Sequence, residues 1–401
     1  MVGTKPNRKR LRQLFEIFVT QALRLPKWDD YERIKDLPEF QAVYAFVQSE
    51  GLVAKIGVSD FSAGGSPVPP GAEDLWRLYL LPLTNRCSDG RFEAVYPLVE
   101  ESLYADCATW QALVPLPGFT AQGGRVELPN GVIIRELEAG EKQYLDKFQE
   151  SIGFGEAIGL GLLDVSFAMS CRKQSPKAGP MQGGLADDDF EPVVTALRLL
   201  KGGAVWYNLQ VQCLEHPPFG TQFPVGQAGG GWSSKPRVYG AGYELLEVDV
   251  EPLKELVASL SKTGRRKKLE VAVGRFNGAY ERKRPEDKLV DLWIALEALF
   301  LPGISDELSF RASLRIAYYV AKPPDEREEI FNKMRLSYDT RSRVVHGQRP
   351  KADVRGVASD TEEILRRALR AEVMSPGSLD VDRLDGAIAR GQGAAQSGGA
   401  R

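Results

Sequence analysis

The part of the chain after about residue 250 reads as a series of helices, which limits its fold more than any other feature. Apolar residues recur there every three or four positions, and glycine and proline separate the segments. The predicted helices cover positions 251–260, 266–282, 285–301, 307–321, 323–346 and 360–374. The run at 289–301 is apolar nearly all round, which predicts the central, buried helix of a bundle.

The sequence from the end of a first, N-terminal helix to about residue 247 differs, because short strand-like runs alternate there with helical ones. Val and Ile runs on either side of Pro129-Asn130-Gly131 predict a hairpin over 126–136. Further strands are predicted at 163–170, 205–214 and 237–248, and a helix at 190–200. The Gly-rich stretch 217–236 lacks the G-x-x-x-x-G-K-[ST] spacing of a phosphate cradle and is predicted to be a flexible surface loop or lid.

Together these patterns predict an α+β fold in three parts. A mixed α/β domain covers residues 1–247 and is a candidate sensor or regulatory domain, and an all-α helical bundle covers 248–373. A tail rich in glycine and alanine covers 374–401, and we expect it to be mobile apart from a short helix at 380–390. A chain of 401 residues is long enough for two or three domains of about 150 residues each.

Cysteine and histidine are too scarce and too scattered for the usual metal sites. The four cysteines contain no C-x-x-C pair, and the only histidines are His216 and His346. Asp187, Asp188 and Asp189 open a predicted helix, where acidic side chains suit the positive end of the helix dipole. A metal role for these aspartates stays open, although no partner ligands are identifiable. We expect no metal and no cofactor.

No segment has the pattern of a secretory signal or a membrane span. The N-terminal amphipathic segment carries a basic run over 5–12, and polar residues interrupt its apolar stretch. The most apolar run, 289–301, falls short of about 20 residues and contains Asp291 and Glu297. We therefore expect a cytoplasmic protein with no membrane partner. The basic run indicates either an anionic partner or a solvated helix start.

Charge is distributed unevenly along the chain. The formal net charge is only −2, which gives no global electrostatic argument for a nucleic-acid partner. Residues 264–351, however, contain 19 Lys and Arg against 13 Asp and Glu, whereas the rest of the chain contains 33 against 41. The predicted bundle is therefore the candidate anion-binding part.

The segment 338–347 is the most informative for chemistry. The apolar stripe of its predicted helix consists of Phe331, Met334, Tyr338 and Val345. Arg341 falls beside this stripe, and His346 follows immediately before Gly347, which suits a left-handed helix cap. Two interpretations stay open at this point: basic residues that complement a helix C-terminus, or an arginine and a histidine that line a cleft.

The residues from Arg341 to His346 fit the R-x(4–6)-H motif of the HEPN superfamily of nucleases. The longer context, in the blocks 287–300, 307–311 and 338–347, resembles the ApeA-like branch of that superfamily over about 250–373. The resemblance implies a metal-independent endoribonuclease that acts as a dimer of helical bundles, with RNA as its partner and Arg341 and His346 as catalytic residues. It also implies a role in anti-phage defence or as a toxin.

The residue types are compatible with that chemistry. Cleavage of RNA through its own 2′-hydroxyl needs a base, an acid and positive charge for the phosphorane. Histidine, whose unperturbed pKa is about 6.5, can transfer protons at neutral pH, and His346 is the histidine of the motif. The guanidinium of Arg341 offers a forked set of donors to phosphate oxygens. Ser342 is the third candidate catalytic residue, as a polar neighbour that orients either group, and Arg343 is a supporting residue.

One copy of the motif does not make an obvious active face. On an ideal helix Arg341 and His346 lie about 140° apart and about 7.5 Å apart along the axis. Two copies packed about a two-fold axis would bring two Arg–His pairs into one cleft. We therefore predict a composite site in a homodimer or a higher homo-oligomer.

Asp291 and Glu297 are supporting candidates, because an acid in a buried helix needs a partner. Their candidate partners are Arg311, Arg315 and Arg341. Such pairs either hold the bundle together or orient the active-site arginine. His216 precedes two prolines, and we interpret it as a loop residue and not as a second catalytic group.

Two other functions remain open. The first is a catalytically inactive HEPN module that binds RNA or a nucleotide, or that only dimerises. The second is metal-dependent hydrolysis at the loop 187–189. The nuclease would cleave RNA in EDTA, the inactive module would bind RNA and cut none, and EDTA would abolish the metal-dependent hydrolysis.

Overall fold

The structure is a computed structural model that describes most of the chain. The described residues are 5–27, 29–56, 71–87, 90–152, 161–162, 165–176, 187–216, 220–222, 230–232, 238, 241–262, 267–302, 307–321 and 324–390. The model combines many helices with a small, mainly antiparallel sheet, and its C-terminal region is mostly helical. The predicted α+β fold is confirmed.

The described part of the first 104 residues is wholly helical. Its elements are α1 (Lys5–Ala22), α2 (Tyr31–Ile34), α3 (Pro38–Ser49), a 3₁₀ turn (Val53–Lys55), α4 (Ala72–Leu75), a π-helical turn (Trp76–Leu80), α5 (Leu81–Cys87) and α6 (Phe92–Tyr104). These helices surround a hydrophobic cluster of their own, in which Phe15, Phe18 and Phe40 are fully buried. The expected alternation of strands and helices therefore begins only after residue 104.

The sheet follows this helical region. Its elements are β1 (Cys107–Leu116), β2 (Phe119–Ala121), β3 (Arg125–Glu127), β4 (Ile133–Glu136), β5 (Phe167–Pro176), β6 (Leu209–His216), β7 (Gly220–Gln222), β8 (Gly230–Trp232) and β9 (Tyr243–Leu245). The main sheet has the antiparallel order β3-β4-β5-β1-β6-β7, with β8 also paired to β6, while β2 and β9 form a separate parallel pair. The predicted hairpin is confirmed as β3 and β4, with Gly131 in its turn at φ 82°.

Three further predictions in this region are only partly matched by the described residues. Of the strand expected at 237–248, the described residues show only β9. The predicted loop 217–236 lies mostly outside the described residues, apart from β7 and β8. His216 is the last residue of β6 and pairs through its backbone with Gly220, and its side chain lies outside the described residues.

Every helix predicted after residue 250 is present. Two helices lie between the strands, α7 (Ala139–Ile152) and α8 (Asp187–Leu200). The helices after residue 249 are α9 (Val250–Leu260), α10 (Lys267–Tyr280), α11 (Pro285–Phe300), α12 (Leu308–Val320), α13 (Pro324–Val345), α14 (Val354–Met374) and α15 (Val381–Ala389). Helix α14 begins earlier than expected, because the Asp353 carboxylate caps it by accepting from the backbone N–H groups of Arg355 and Gly356.

Helix α11 is the central helix of the bundle, as predicted. Its Leu289, Leu292, Trp293 and Leu296 are fully buried, and it packs on α10, α12, α13 and α14. The surrounding hydrophobic cluster also contains residues of the sheet and of α8, so it is continuous across residue 247. The domain boundary at 247 stays a prediction. None of the described helices combines the length and the hydropathy that crossing a membrane requires.

Part of the expected tail packs on the bundle. Helix α15 contacts α12, and the Arg315 guanidinium binds the Asp385 carboxylate with an Nη2–Oδ2 distance of 2.6 Å. Leu384 is buried beside it. Residues 391–401 lie outside the described residues, and mobility of the tail stays a prediction.

Candidate functional site

Helices α11 and α13 run parallel, and the segment from Arg341 to His346 lies at the end of the bundle where both helices finish. The Trp293 indole N–H donates to Ser337 Oγ over 2.8 Å, and these residues are 44 positions apart in the chain. Glu297 and Arg341 are again 44 positions apart and meet one turn further along both helices. This constant register places Arg341 near the C-terminal ends of both helices.

The Arg341 guanidinium is held in a defined position. Its Nη2 lies 3.3 Å from Glu297 Oε1, and its central carbon lies 5.9 Å from the centre of the Tyr338 ring. Tyr338 is itself fixed edge-to-face against the buried Trp293, with ring centres 5.0 Å apart. The Nε–H of Arg341 is buried and has no hydrogen-bond partner among the described residues. The guanidinium thus has one unused N–H group, which lies below the surface.

Glu297 is half-buried, and its environment affects its ionisation. Burial raises the pKa of the Glu297 carboxyl above its ordinary value of 4.5, and the neighbouring Arg341 cation opposes that rise. The upward shift means that the folded protein binds a proton at Glu297 more tightly than the unfolded chain does.

Titration of the Glu297 carboxyl should make the free energy of unfolding depend on pH, and the Glu297→Gln variant should lack this dependence. Because the folded pKa of Glu297 is raised, its contribution to stability is present at low pH and is lost as the pH rises above 4.5. The stability of the wild type relative to Glu297→Gln should therefore fall over that range. Urea denaturation of both proteins between about pH 4 and pH 7 measures this difference, and parallel profiles would contradict the prediction.

His346 directly follows Val345, the last residue of α13. Gly347, at φ 67°, donates its N–H to the Val344 carbonyl over 3.1 Å, and Gln348 donates to the Arg343 carbonyl over 2.8 Å. This pair of bonds is a Schellman cap, so the predicted left-handed cap at Gly347 is confirmed. The His346 side chain is exposed and makes no hydrogen bond or ion pair with the residues that the structure describes.

Arg341 and His346 do not meet within one chain. Arg341 turns inward to Glu297, whereas His346 faces outward from the helix end, and no hydrogen bond or ion pair between them is present in the described part. Ser342 lies between them and is half-buried, with its carbonyl accepting the His346 backbone N–H over 3.1 Å. The composite site in an oligomer stays a prediction.

The apolar stripe of α13 ends about two turns earlier than predicted, at Tyr338 instead of Val345. Met334 is fully buried, and Phe331 and Tyr338 are packed against the core, but the Val345 side chain is 52% exposed. In the register of 44 positions, Val345 lies opposite Leu301, where α11 has already ended at Phe300. The end of α13 therefore extends beyond the core.

Basic residues surround this end. We name it the basic end, formed by Arg341, Arg343, His346, Arg349, Lys351 and Arg355. Apart from Arg341, none of these side chains forms an ion pair with a described residue. Asp353, the one acid between positions 341 and 355, is used in capping α14. The basic end therefore presents positive charge and the N-terminus of α14 together, an arrangement that favours anions.

Only one of the expected supporting ion pairs forms in the structure. Glu297 pairs with Arg341, as predicted, but Asp291 pairs with Arg275 at 3.1 Å and with Arg282 at 2.6 Å. The expectation for Asp291 was wrong. Asp291 lies six residues before Glu297, which is one full turn of the helix plus about 240°, so its side chain lies on the side of α11 that faces α10.

The arginines of α12 also find other partners. Arg311 lies 3.5 Å from Glu307 on the exposed start of that helix, and Arg315 binds Asp385 of α15. Neither reaches Glu297 or Asp291. Sequence reasoning did not identify Trp293 and Tyr338 as the residues that support the arginine, although both belong to the blocks that carry the resemblance.

The aspartates at 187–189 show no metal-binding arrangement in the described residues. Asp189 pairs with Lys173 across to β5, and the side chains of Asp187 and Asp188 lie outside the described residues. Among the described residues, no group of three or more His, Cys, Asp or Glu side chains could hold a metal ion.

Comparison with models of protein families, with curated proteins and with solved structures finds no match to this chain.

Proposed function

We propose that the protein is a metal-independent endoribonuclease that cleaves RNA at the basic end by attack of the 2′-hydroxyl. One observation carries the proposal: an exposed histidine lies at the end of the helix that also carries Arg341, which Glu297 holds in place, and the neighbouring lysines and arginines form no ion pair with a described residue. The order of the motif blocks, which resembles the ApeA-like HEPN branch, supports the same chemistry.

The proposed roles follow from the side chains. The His346 imidazole is exposed and so has room to take the 2′-hydroxyl proton or to protonate the departing 5′-oxygen. The Arg341 guanidinium, held on Glu297 and Tyr338, donates to the phosphate oxygens where negative charge develops. Ser342 directly follows Arg341, its carbonyl accepts the His346 backbone N–H, and its hydroxyl orients either group, while Arg343 adds positive charge.

The reaction needs a base and an acid, and one chain offers one motif histidine. We therefore place two copies of the basic end around one phosphodiester in a homodimer or a higher homo-oligomer. Exposure of Val345 at the same end is compatible with a second copy covering it. A defence or toxin role in the cytoplasm is part of the proposal and comes from the resemblance alone.

The direct test is cleavage of RNA by the purified protein in EDTA. The proposal expects products with 2′,3′-cyclic phosphate or 3′-phosphate ends, which mass spectrometry of the fragments distinguishes from 5′-phosphate ends. Cleavage that appears only after a divalent metal is added would contradict it.

An inactive RNA-binding module is the second candidate function. The separation of Arg341 from His346 within one chain, and the pairing of Arg341 with Glu297, favour this alternative. Such a module would bind RNA with the same basic end and cut none. If the protein binds RNA in the EDTA assay but does not cleave it, even at concentrations at which the dimer forms, the result would support the binding module over the nuclease.

Both candidates predict salt-sensitive RNA binding through the basic end. The double variant Arg349→Ala/Lys351→Ala removes two exposed cations, so the slope of log K against log salt for single-stranded RNA should become shallower by about 1.4. Binding measured by fluorescence anisotropy at several salt concentrations gives this slope.

The matched control is the double variant Lys283→Ala/Arg370→Ala, which removes two equally exposed cations. Lys283 lies in the connection before α11, and Arg370 lies in the last turns of α14, so both are at the opposite end of the bundle. The control should leave the slope unchanged. Equal slopes for the two double variants would show that RNA does not bind at the basic end.

A further inference from the structure

A polar pocket lies where α8 meets α10, on the side of the bundle that faces the sheet. Its volume is about 60 Å³, and it is open on one side. Trp206 and Tyr207 form an aromatic wall, and Arg198, Glu191 and Glu281 bring three charged side chains into the same space. Neither Arg341 nor His346 lines it, so the proposed nuclease site does not account for this pocket.

Arg198 is held in place entirely by neutral groups. Its side chain is almost fully buried, at 5% exposure, and its Nε and Nη2 donate to the Val205 carbonyl over 3.2 Å and 2.8 Å. Nη1 donates to Asn277 Oδ1 over 3.1 Å, and Asn277 in turn donates to Thr195 Oγ1. The guanidinium also lies 4.5 Å from the centre of the Tyr280 ring.

Arg198 forms no ion pair with a carboxylate among the described residues, although the carboxylates of Glu281 and Glu362 act on its charge from a longer distance. An arginine has more N–H groups than the bonds to Val205 and Asn277 use. Burial lowers the pKa of the guanidinium, which shows the cost of holding this charge in the interior. A ligand with an anionic group would supply the missing partner.

The two glutamates restrict the ligand further. A simple anion would meet Glu191 and Glu281 in the same pocket, and a simple cation would meet Arg198. A ligand that carries both charges a short distance apart places an opposite charge against the arginine and against the two glutamates. The cavity is smaller than the roughly 150 Å³ that encloses a benzene molecule, so it has room for a head group, with the rest of the ligand in the open mouth.

We propose that this pocket binds the head group of an α-amino acid. The carboxylate of the ligand binds Arg198, and its ammonium group binds Glu191 and Glu281. The side chain of the ligand leaves through the mouth beside Trp206 and Tyr207, which are suited to apolar or aromatic groups.

The test is binding of each standard amino acid to the full chain, measured by thermal shift and then by calorimetry. At least one amino acid at millimolar concentration should raise the melting temperature, whereas acetate and methylammonium at the same concentration should not. The proposal is overturned if no amino acid binds, or if acetate alone binds as tightly as the best amino acid.

A charge-removing variant tests the assignment of residues. Glu281→Gln keeps the shape of a half-buried side chain and should weaken the affinity about 10- to 100-fold, the usual effect of losing a charged hydrogen bond. Glu270→Gln, the same change at an exposed position of α10 outside the pocket, should leave the affinity unchanged. Equal affinities for the two variants would show that Glu281 is not part of the site.

Discussion

Replacement of His346 by alanine should lower the rate of RNA cleavage by about 10²- to 10⁴-fold, the usual contribution of a proton-transferring side chain. The fold should not change, because the side chain is exposed and makes no hydrogen bond or ion pair with the described residues. RNA binding should also persist, since the other cations of the basic end remain. Single-turnover cleavage in EDTA at saturating RNA, with circular dichroism of the same samples, measures these effects.

Two further variants control this prediction. Gln348→Ala changes an exposed neighbour on the other side of Gly347 and should cleave like the wild type. Arg341→Lys keeps the charge but loses the forked donors, so it should remain strongly impaired. Wild-type cleavage by His346→Ala would remove the histidine from the mechanism and favour another site on the chain.

The second large effect is expected on stability, at Glu362 of α14. This buried carboxylate accepts a hydrogen bond from Tyr280 Oη over 2.8 Å and pairs with Lys288 and Arg366. Arg366 also donates to the Arg198 carbonyl over 2.8 Å, so the group joins α8, α10, α11 and α14. Glu362→Gln leaves Lys288 without its anion and Arg366 with only the exposed Glu363, and it should lower the free energy of unfolding by about 3 kcal/mol.

The pH dependence gives a further test of this group. Burial by itself would raise the pKa of Glu362, but the Lys288 and Arg366 cations hold it below its ordinary value of 4.5. The stabilisation is therefore present above pH 4.5 and is lost as the pH falls through the folded pKa. The difference between the wild type and Glu362→Gln should narrow in acid.

The control for Glu362 is Asp360→Asn, a charge removal on the exposed face of the same helix. Asp360 lies 3.8 Å from Lys333, and both side chains are well exposed, so the effect should stay within about 0.5 kcal/mol. Urea denaturation gives both values. Equal losses for the two variants would show that the buried group does not hold these helices together.

The helices of the bundle were predictable because the residues that begin and end each helix lie within or next to that helix in the sequence. Proline begins α11, glycine ends α13, and the apolar spacing between such residues identifies each helix without reference to the rest of the molecule. The cap that places His346 at a helix end was predictable for the same reason. Arg341 beside the apolar stripe indicated a cation that needs a partner or lines a cleft, and the sequence left it as one of three candidate partners of Glu297.

Other features depend on neighbours that the sequence does not specify. The region before residue 105 contains dense apolar runs, such as that at 75–83, which suit a buried strand or a buried helix equally well. Exposure of Val345 depends on where a different helix, α11, ends. The partners of Asp291 depend on which side of α11 faces α10, and the pocket around Arg198 depends on the packing of α8 against the bundle.

The claim that two copies of His346 share one active site is tested most directly by mixing subunits. Wild-type and His346→Ala chains are co-expressed so that they assemble at random, and cleavage is measured per wild-type chain with RNA in excess over total protein. If each site needs both histidines, an approximately ninefold excess of the variant should lower that activity about tenfold. An activity per wild-type chain that stays constant at every ratio would show that each chain cleaves RNA by itself.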